Sequence, residues 1–192
     1  STVSFAVSKD DLKPALTGVF FKIDSDLITA VSTDGHRLAQ YLCKNETKAN
    51  FTGEVVIPKK FLNTIGSYTA GKEEIYLLIN DNVFTAKMGI DTVYTRIIDE
   101  KFPDYESVIP KDNDKEIKVD RKALLAAVKR VSIFSNKTTQ QVAIKTEKSK
   151  LLIATEDPEK ASKAQEELEV LYEGGPIEIG FNASYLKDVL SH

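Results

Sequence analysis

One pattern occurs three times in this chain: an apolar strand-like run, a polar break, and a stretch with apolar residues at helical spacing. It reads VVIPKKFLNTI at 55–65, IKVDRKALLAAV at 117–128 and IEIGFNASYLKDVL at 177–190. Phe61-Leu62, Ala123-Leu124 and Tyr185-Leu186 take equivalent places in the helical part. A weaker echo pairs FKIDSDLITAVSTD at 21–34 with IKTEKSKLLIATED at 144–157, each being two strands around a tight polar turn that end in a Ser/Thr-acid pair. A helix cannot bury an apolar stripe alone, and repetition at this scale means copies of one supersecondary unit. The expected fold is therefore α+β, built of strand–helix–three-strand units, with antiparallel sheets and amphipathic helices on one face.

The pattern along the chain fills in that outline. GVFFKI at 18–23, LITAV at 27–31, RLAQYLC at 37–43 and GEVVIP at 53–58 read as strands. Pro58 stops the last of them and suits the first turn of a helix. That helix carries Phe61, Leu62, Ile65 and Tyr68 on one side, with Gly71 closing it. Strands follow at 74–80, 82–88 and 91–98, the first two joined by an Asp81-Asn82 turn. The segment 99–115 holds Pro103, Pro110 and the charges from Lys111 to Lys115, which places a domain boundary there and divides the chain into 1–110 and 111–192. Beyond it lie a strand at 116–119, an N-cap at Asp120, a helix over 121–134 and strands at 141–147 and 150–155. KAQEELEVLYEG from 163 has helix-forming residues, yet Leu168, Val170 and Tyr172 alternate, which predicts a strand. A strand at 176–181 and a helix from about Asn182 complete the sequence.

Composition narrows the function. The chain has 192 residues, 42% hydrophobic and 29% charged, as in ordinary globular domains. No apolar run approaches the roughly 20 residues of a membrane helix, and the start STVSFAVSKDD lacks a basic leader or sustained apolar stretch. Cys43 is the single cysteine, so no intrachain disulfide forms and a reducing cytoplasmic setting is expected. A net charge of −3 argues against tight autonomous binding of nucleic acid but leaves room for a local basic face. There is no glycine-rich phosphate loop, and two histidines, His36 and His192, do not supply a usual zinc site. Asp34 and His36 are chain neighbours and do not converge as a triad would. Cys43 lies in a strand-like run and reads as an inert small apolar residue. No catalysis, metal or cofactor is expected.

The remaining feature is TDGHRLA at 33–39, a polar turn between two strands. On its own it is an ordinary turn in which Asp34 and Gly35 supply the turn chemistry and His36 faces solvent, or a functional loop on a rigid scaffold. With EVVIPKKFL, KFPDYESVIP, VDRKALLAAVKRVSIFSN and EIGFNASYLKDVL following in that order, the chain resembles the bacterial replicative sliding clamp, the beta subunit of DNA polymerase III. The resemblance covers nearly the whole chain but only the middle of a family subunit. It begins inside the first helix of the second domain, near SFAVSKDD, and ends on the second helix of the third, near YLKDVLSH.

That resemblance implies a DNA-clamp fold and a non-enzymatic processivity factor. Such a subunit forms a head-to-tail homodimer ring that encircles duplex DNA without sequence specificity. It tethers the DNA polymerase III alpha subunit, the clamp loader and other clamp-motif proteins, including repair proteins. It implies DNA-facing cations at Lys59, Lys60, Arg121, Lys122, Lys129 and Arg130. It also implies a peptide-binding cleft at Leu16, Thr33, Gly35, His36, Arg37, Leu38, Pro103, Val108, Asn182 and Tyr185, with one wall lacking in a fragment of this extent. Ser107 stands where the family commonly has a basic residue. The alternative is a clamp-like peptide-binding adaptor with no role on DNA.

Overall fold

The computed structural model describes residues 2–45, 51–69 and 74–192, so the expected closure of the first helix at Gly71 lies outside the described residues. The chain divides into two compact units, Ser1–Val108 and Ile109–His192.

In the first unit, β1 (Gly18–Ile23), β2 (Leu27–Thr33) and β3 (Leu38–Lys44) form an antiparallel meander. The next strand, β4 (Gly53–Pro58), returns to pair with β1, giving the order β3-β2-β1-β4. The register sets Phe20 beside Val31 and Val56, and Phe21 beside Ala30 and Val55. Alternation then sends Phe20 to one face and Phe21 to the other. Pro58 ends β4 and precedes α1 (Lys59–Tyr68), because it has no N–H to give the ladder and its fixed φ suits a helix start. Behind α1 comes a three-stranded sheet of β5 (Tyr76–Asn80), β6 (Val83–Met88) and β7 (Asp91–Arg96), in that order. Alternation in β6 turns Phe84, Ala86 and Met88 inward, where Phe61 of α1 meets Phe84 edge-to-face with ring centroids 5.5 Å apart.

The second unit repeats the first sheet. Its strands are β8 (Gln141–Glu147), β9 (Lys150–Asp157), β10 (Ser162–Glu169) and β11 (Ile177–Asn182), in the order β10-β9-β8-β11. The fourth strand again returns to the first and leads directly into a helix, α3 (Ala183–Ser191). The preceding helix, α2 (Arg121–Val131), packs on α3 and on β9 and β10. Ala127, Val128 and Val131 of α2 meet Val142, Leu151 and Ile153 in one core cluster. Both helices start on side-chain caps: Asp120 accepts from Ala123 N–H at 2.7 Å, and Asn182 from Ser184 N–H at 2.8 Å. The helix-forming residues of β10 are overruled by an eight-residue register against β9, which turns Ala164 and Leu168 toward the core.

Four expected elements differ. Residues 116–119 form no strand: Lys118 and Leu171 exchange two 2.9 Å hydrogen bonds as an isolated bridge. The pairing cannot extend, because β10 has ended at Glu169 and the chain turns through Gly174-Gly175-Pro176. The helix from Arg121 stops at Val131 and tightens into a 3-10 turn over Ser132–Phe134. The strand from Asp91 ends at Arg96, after which Ile98 N–H bonds Val56 C=O at 2.9 Å and draws β7 toward β4. The region near SFAVSKDD is a single 3-10 turn, Ser4–Ala6, whose flanking Val3 and Val7 are buried against Val19 and Ala30. Among the described residues, no helix is long and apolar enough to cross a membrane.

Ile153 is fully buried within the second core. Replacing it with Ala should cost about 2–5 kcal/mol in a denaturant titration. Glu156→Ala on the exposed side of the same strand should stay within about 0.5 kcal/mol of the parent.

Candidate functional site

The turn between β2 and β3 is held by its own side chains. Thr33 is buried at the end of β2 and pairs with Leu38 across the hairpin. Its hydroxyl donates to Arg37 C=O at 2.7 Å and accepts from Gly35 N–H at 3.0 Å. One Asp34 carboxylate oxygen accepts from His36 N–H at 3.0 Å and Arg37 N–H at 3.1 Å, and the other takes Arg37 Nε–H at 3.1 Å. Arg37 further donates to Phe5 C=O at 3.2 Å and lies 5.7 Å from the centroid of the Phe5 ring. Gly35, at φ +90°, takes a conformation that favours glycine. Gly35 and His36 are left exposed at the apex.

The echo in the second unit ends in the same kind of lock. Asp157 is fully buried, accepts from Glu159 N–H at 3.2 Å, and has Lys160 Nζ 3.6 Å from its other oxygen. In both turns an acid holds the N–H two residues on and pairs with the cation three residues on. The lock thus belongs to the repeated scaffold. What distinguishes the first turn is its apex, Gly35-His36, where the second has Pro158-Glu159.

A strap crosses one face of the first sheet. Leaving β7, residues 97–108 pass β4 and set Phe102 in a 4.9 Å stack on Phe20, with Tyr105 tilted 5.8 Å from the same ring. The register places Phe20, Val31 and Gln40 in one row of that face, and Thr33 and Leu38 lie two residues along on the same side. Burial raises the Tyr105 phenol above its ordinary pKa, helped by the charge of the adjacent Glu106. Phe102 and Tyr105 are buried anchors, while Pro103 and Val108 between and beyond them are exposed. Ser107 donates to Asp104 C=O at 2.8 Å and so is occupied within the strap's own turn. Leu16 is half-buried in a 3-10 turn, Pro14–Thr17, and its C=O accepts from Ser8 N–H at 2.8 Å.

The expected cleft residues fall in both units. Leu16, Thr33, Gly35, His36, Arg37, Leu38, Pro103 and Val108 belong to the first, where Thr33, Arg37 and Leu38 share the locked turn. Asn182 and Tyr185 belong to the second, at the start of α3. Asn182 caps that helix and donates to Thr139 C=O at 3.3 Å, and Tyr185 is half-buried one turn in. Sequence reasoning missed Phe5 beneath Arg37 and the Phe20–Phe102–Tyr105 stack. The aromatic pair in KFPDY was the available signal for the second.

The expected DNA-facing cations sort into two groups. Arg121 donates to Leu190 C=O in the last turn of α3, and Arg130 grips Glu166 of β10 with two hydrogen bonds. These two guanidinium groups tie helices to their own unit. Lys59, Lys60, Lys122 and Lys129 make no ion pair among the described residues. Lys59 and Lys60 open α1, which has no side-chain cap, and Lys122 stands in the first turn of α2. Among the described residues no cluster of three or more His, Cys, Asp or Glu is placed to hold a metal.

Two units carrying one four-stranded sheet order, each sheet leading into a helix, define a clamp-type α+β architecture. Residues 1–104 match the central domain and residues 106–192 the C-terminal domain of the DNA polymerase III beta subunit. The chain belongs to that family. It is 35% identical over 188 residues to the beta sliding clamp of Pseudomonas putida, covering 97% of this chain and 51% of the relative. Against the beta sliding clamp of Escherichia coli K12 it is 32% identical over 190 residues, with the same coverages. A crystal structure of the DNA polymerase sliding clamp from Pseudomonas aeruginosa superposes with a TM-score of 0.93 at 32% identity, over 99% of this chain and 53% of that one. Another from that organism, bound to griselimycin, gives the same score and identity over 52% of its length. The chain spans about half the length of the curated relatives it matches.

The Arg130 hydrogen bonds hold the Glu166 carboxyl below its ordinary pKa of 4.5. A carboxylate whose pKa is lowered on folding stabilises the fold above its unfolded value and loses that effect as pH falls through the folded one. Glu166→Gln should therefore lower the thermal midpoint at pH 7, with the gap to the parent closing as the pH is brought below about 4.

Proposed function

We propose that this chain acts within a DNA polymerase processivity clamp, with 1–110 as its second clamp domain and 111–192 as its third. In that role it works in the cytoplasm, contributes to a head-to-tail ring around duplex DNA, and holds the polymerase alpha subunit, the clamp loader and other motif-bearing proteins by short peptides. Membership of the beta-subunit family across both units carries this reading. The four unpaired lysines support weak, sequence-independent phosphate contacts, which let a threaded ring move. The locked turn and the aromatic-anchored strap support a peptide cleft, because rigid backbone with exposed apolar residues beside it suits an extended ligand.

Griselimycin, the ligand bound by the Pseudomonas aeruginosa clamp, is a suitable probe of that cleft. It is expected to bind this chain measurably in calorimetry, and Leu38→Ala with Pro103→Ala should weaken it by at least about tenfold. Unchanged affinity in the double variant would remove these residues from the cleft. A second measurement separates a clamp from an adaptor that never meets DNA. Low-salt anisotropy with a duplex should show weak binding, and Lys59→Glu with Lys122→Glu should flatten its salt dependence by about one to two in slope. No binding by the parent chain, or an identical slope in the variant, would favour the adaptor.

A further inference from the structure

Beside the turn that ends α2 lies a cavity of about 330 Å³ in which every charged residue is a lysine. Ser132, Ile133, Ser135, Lys137, Gln140 and Lys187 line it, with no carboxylate among them. Its walls come from two places in the second unit: the segment 132–140, which joins α2 to β8, and the middle of α3. A larger cleft in the same unit is different in kind. Its Lys145 and Lys150 are ion-paired to Glu178 and Glu167 of the same lining. Lys137 has no ion-pair or hydrogen-bond partner among the described residues, and the half-buried Lys187 has no carboxylate partner there.

Hydrogen bonds fix the walls and leave ammonium donors over. Ser132 Oγ donates to Lys129 C=O at 3.1 Å and accepts from Lys187 Nζ at 3.4 Å. Ser135 is buried, and its hydroxyl donates to Ser132 C=O at 2.8 Å. Gln140 is held at φ +48° by its N–H on Asn136 C=O and its C=O on Ala183 N–H, both at 2.8 Å. A residue other than glycine kept in the left-handed region marks a loop whose shape is over-determined. Lys187 retains two N–H donors and Lys137 three. The C-terminal end of α2 brings about half a negative charge, against two full positive ones, so the cavity stays cationic.

We propose that this cavity seats one phosphate group between Lys137 and Lys187. Charged donors on opposite walls of a fixed concavity suit phosphoryl oxygens, which accept from both at once. Two sources offer that chemistry: a backbone phosphate of duplex DNA, and a phosphate group free in solution. The backbone is favoured by Lys122 and Lys129, which lie seven residues apart and therefore on one side of α2. Lys129 C=O holds the Ser132 hydroxyl that Lys187 touches, so the cavity continues that line of cations. The DNA source rests on the clamp reading, whereas the seat itself does not.

Two measurements on the 192-residue chain test it. In duplex anisotropy across a salt series, Lys137→Gln and Lys187→Gln should each flatten the salt dependence by about one in slope. The double variant should lose little more, because both cations serve one phosphate. Lys148→Gln, beyond the far end of β8, removes the same charge and should leave the slope unchanged. Losses that add in the double variant overturn the seat, since independent surface charges behave that way. The second measurement titrates sodium phosphate against sodium chloride at equal ionic strength and follows the Ser135 and Gln140 amide signals by NMR. The same spectra show whether each variant keeps the parent's fold. A slope response without phosphate-dependent shifts assigns the seat to the DNA backbone. Saturable shifts that vanish in both single variants, with no slope response, assign it to free phosphate. A parent that shows those shifts yet binds no duplex keeps the seat and removes the clamp reading. A slope indifferent to both lysines, together with no shifts, overturns the seat and leaves the clamp reading standing.

Discussion

The fourth strand of each sheet returns to the first, and most of the molecule follows from that pairing. β4 lies along β1 over six residue pairs, and β11 along β8 over six. The return closes the sheet on one side and aims the chain as it leaves. Pro58 and Asn182, the last residues of those strands, then begin or cap the helix that follows. A slip of one residue would send Phe21 to the strap side and Phe20 to the helix side, exposing one apolar set and burying polar partners. The strap depends on the same register, since it is anchored on Phe20.

The repeated architecture separates scaffold from site. Two acid-capped turns, at Asp34 and Asp157, close equivalent hairpins in the two units, each acid accepting the N–H two residues on and facing the cation three residues on. Their chemistry serves the fold. The first differs in exposing Gly35 and His36, in Leu38 just beyond them, and in the strap bearing Pro103 and Val108 on the same face. A similar division runs through the cations. Arg121 and Arg130, with their planar donor groups, fasten helices to the body, while the lysines stay solvated.

Much of this was legible in the sequence, for physical reasons that can be named. β1, β4 and β6 alternate or run apolar between turn residues, so both type and bounds could be read. Asp120 and Asn182 announced their helices because a short acceptor before an apolar stripe has few other uses. β10 was readable only because periodicity outranks propensity when a partner strand is present. The failures arose where tertiary partners decide. Residues 116–119 look like a strand, yet the single bridge to Leu171 is all that the opposite chain offers. Cleft residues could be nominated by family resemblance, but Arg37 lying over Phe5 joins positions 32 apart, which no local pattern encodes.

The lock on the first turn also bears on energetics of recognition. Thr33, Asp34 and Arg37 fix the backbone from 33 to 38 when the protein folds, and the conformational entropy is lost then. A partner meeting Gly35 and His36 would encounter a backbone already set, its N–H groups held by Thr33 and Asp34, and docking would order little more of the protein. Loosening the lock, without touching the apex, would return that entropy to the unbound state. The complex would keep its contacts and form less often.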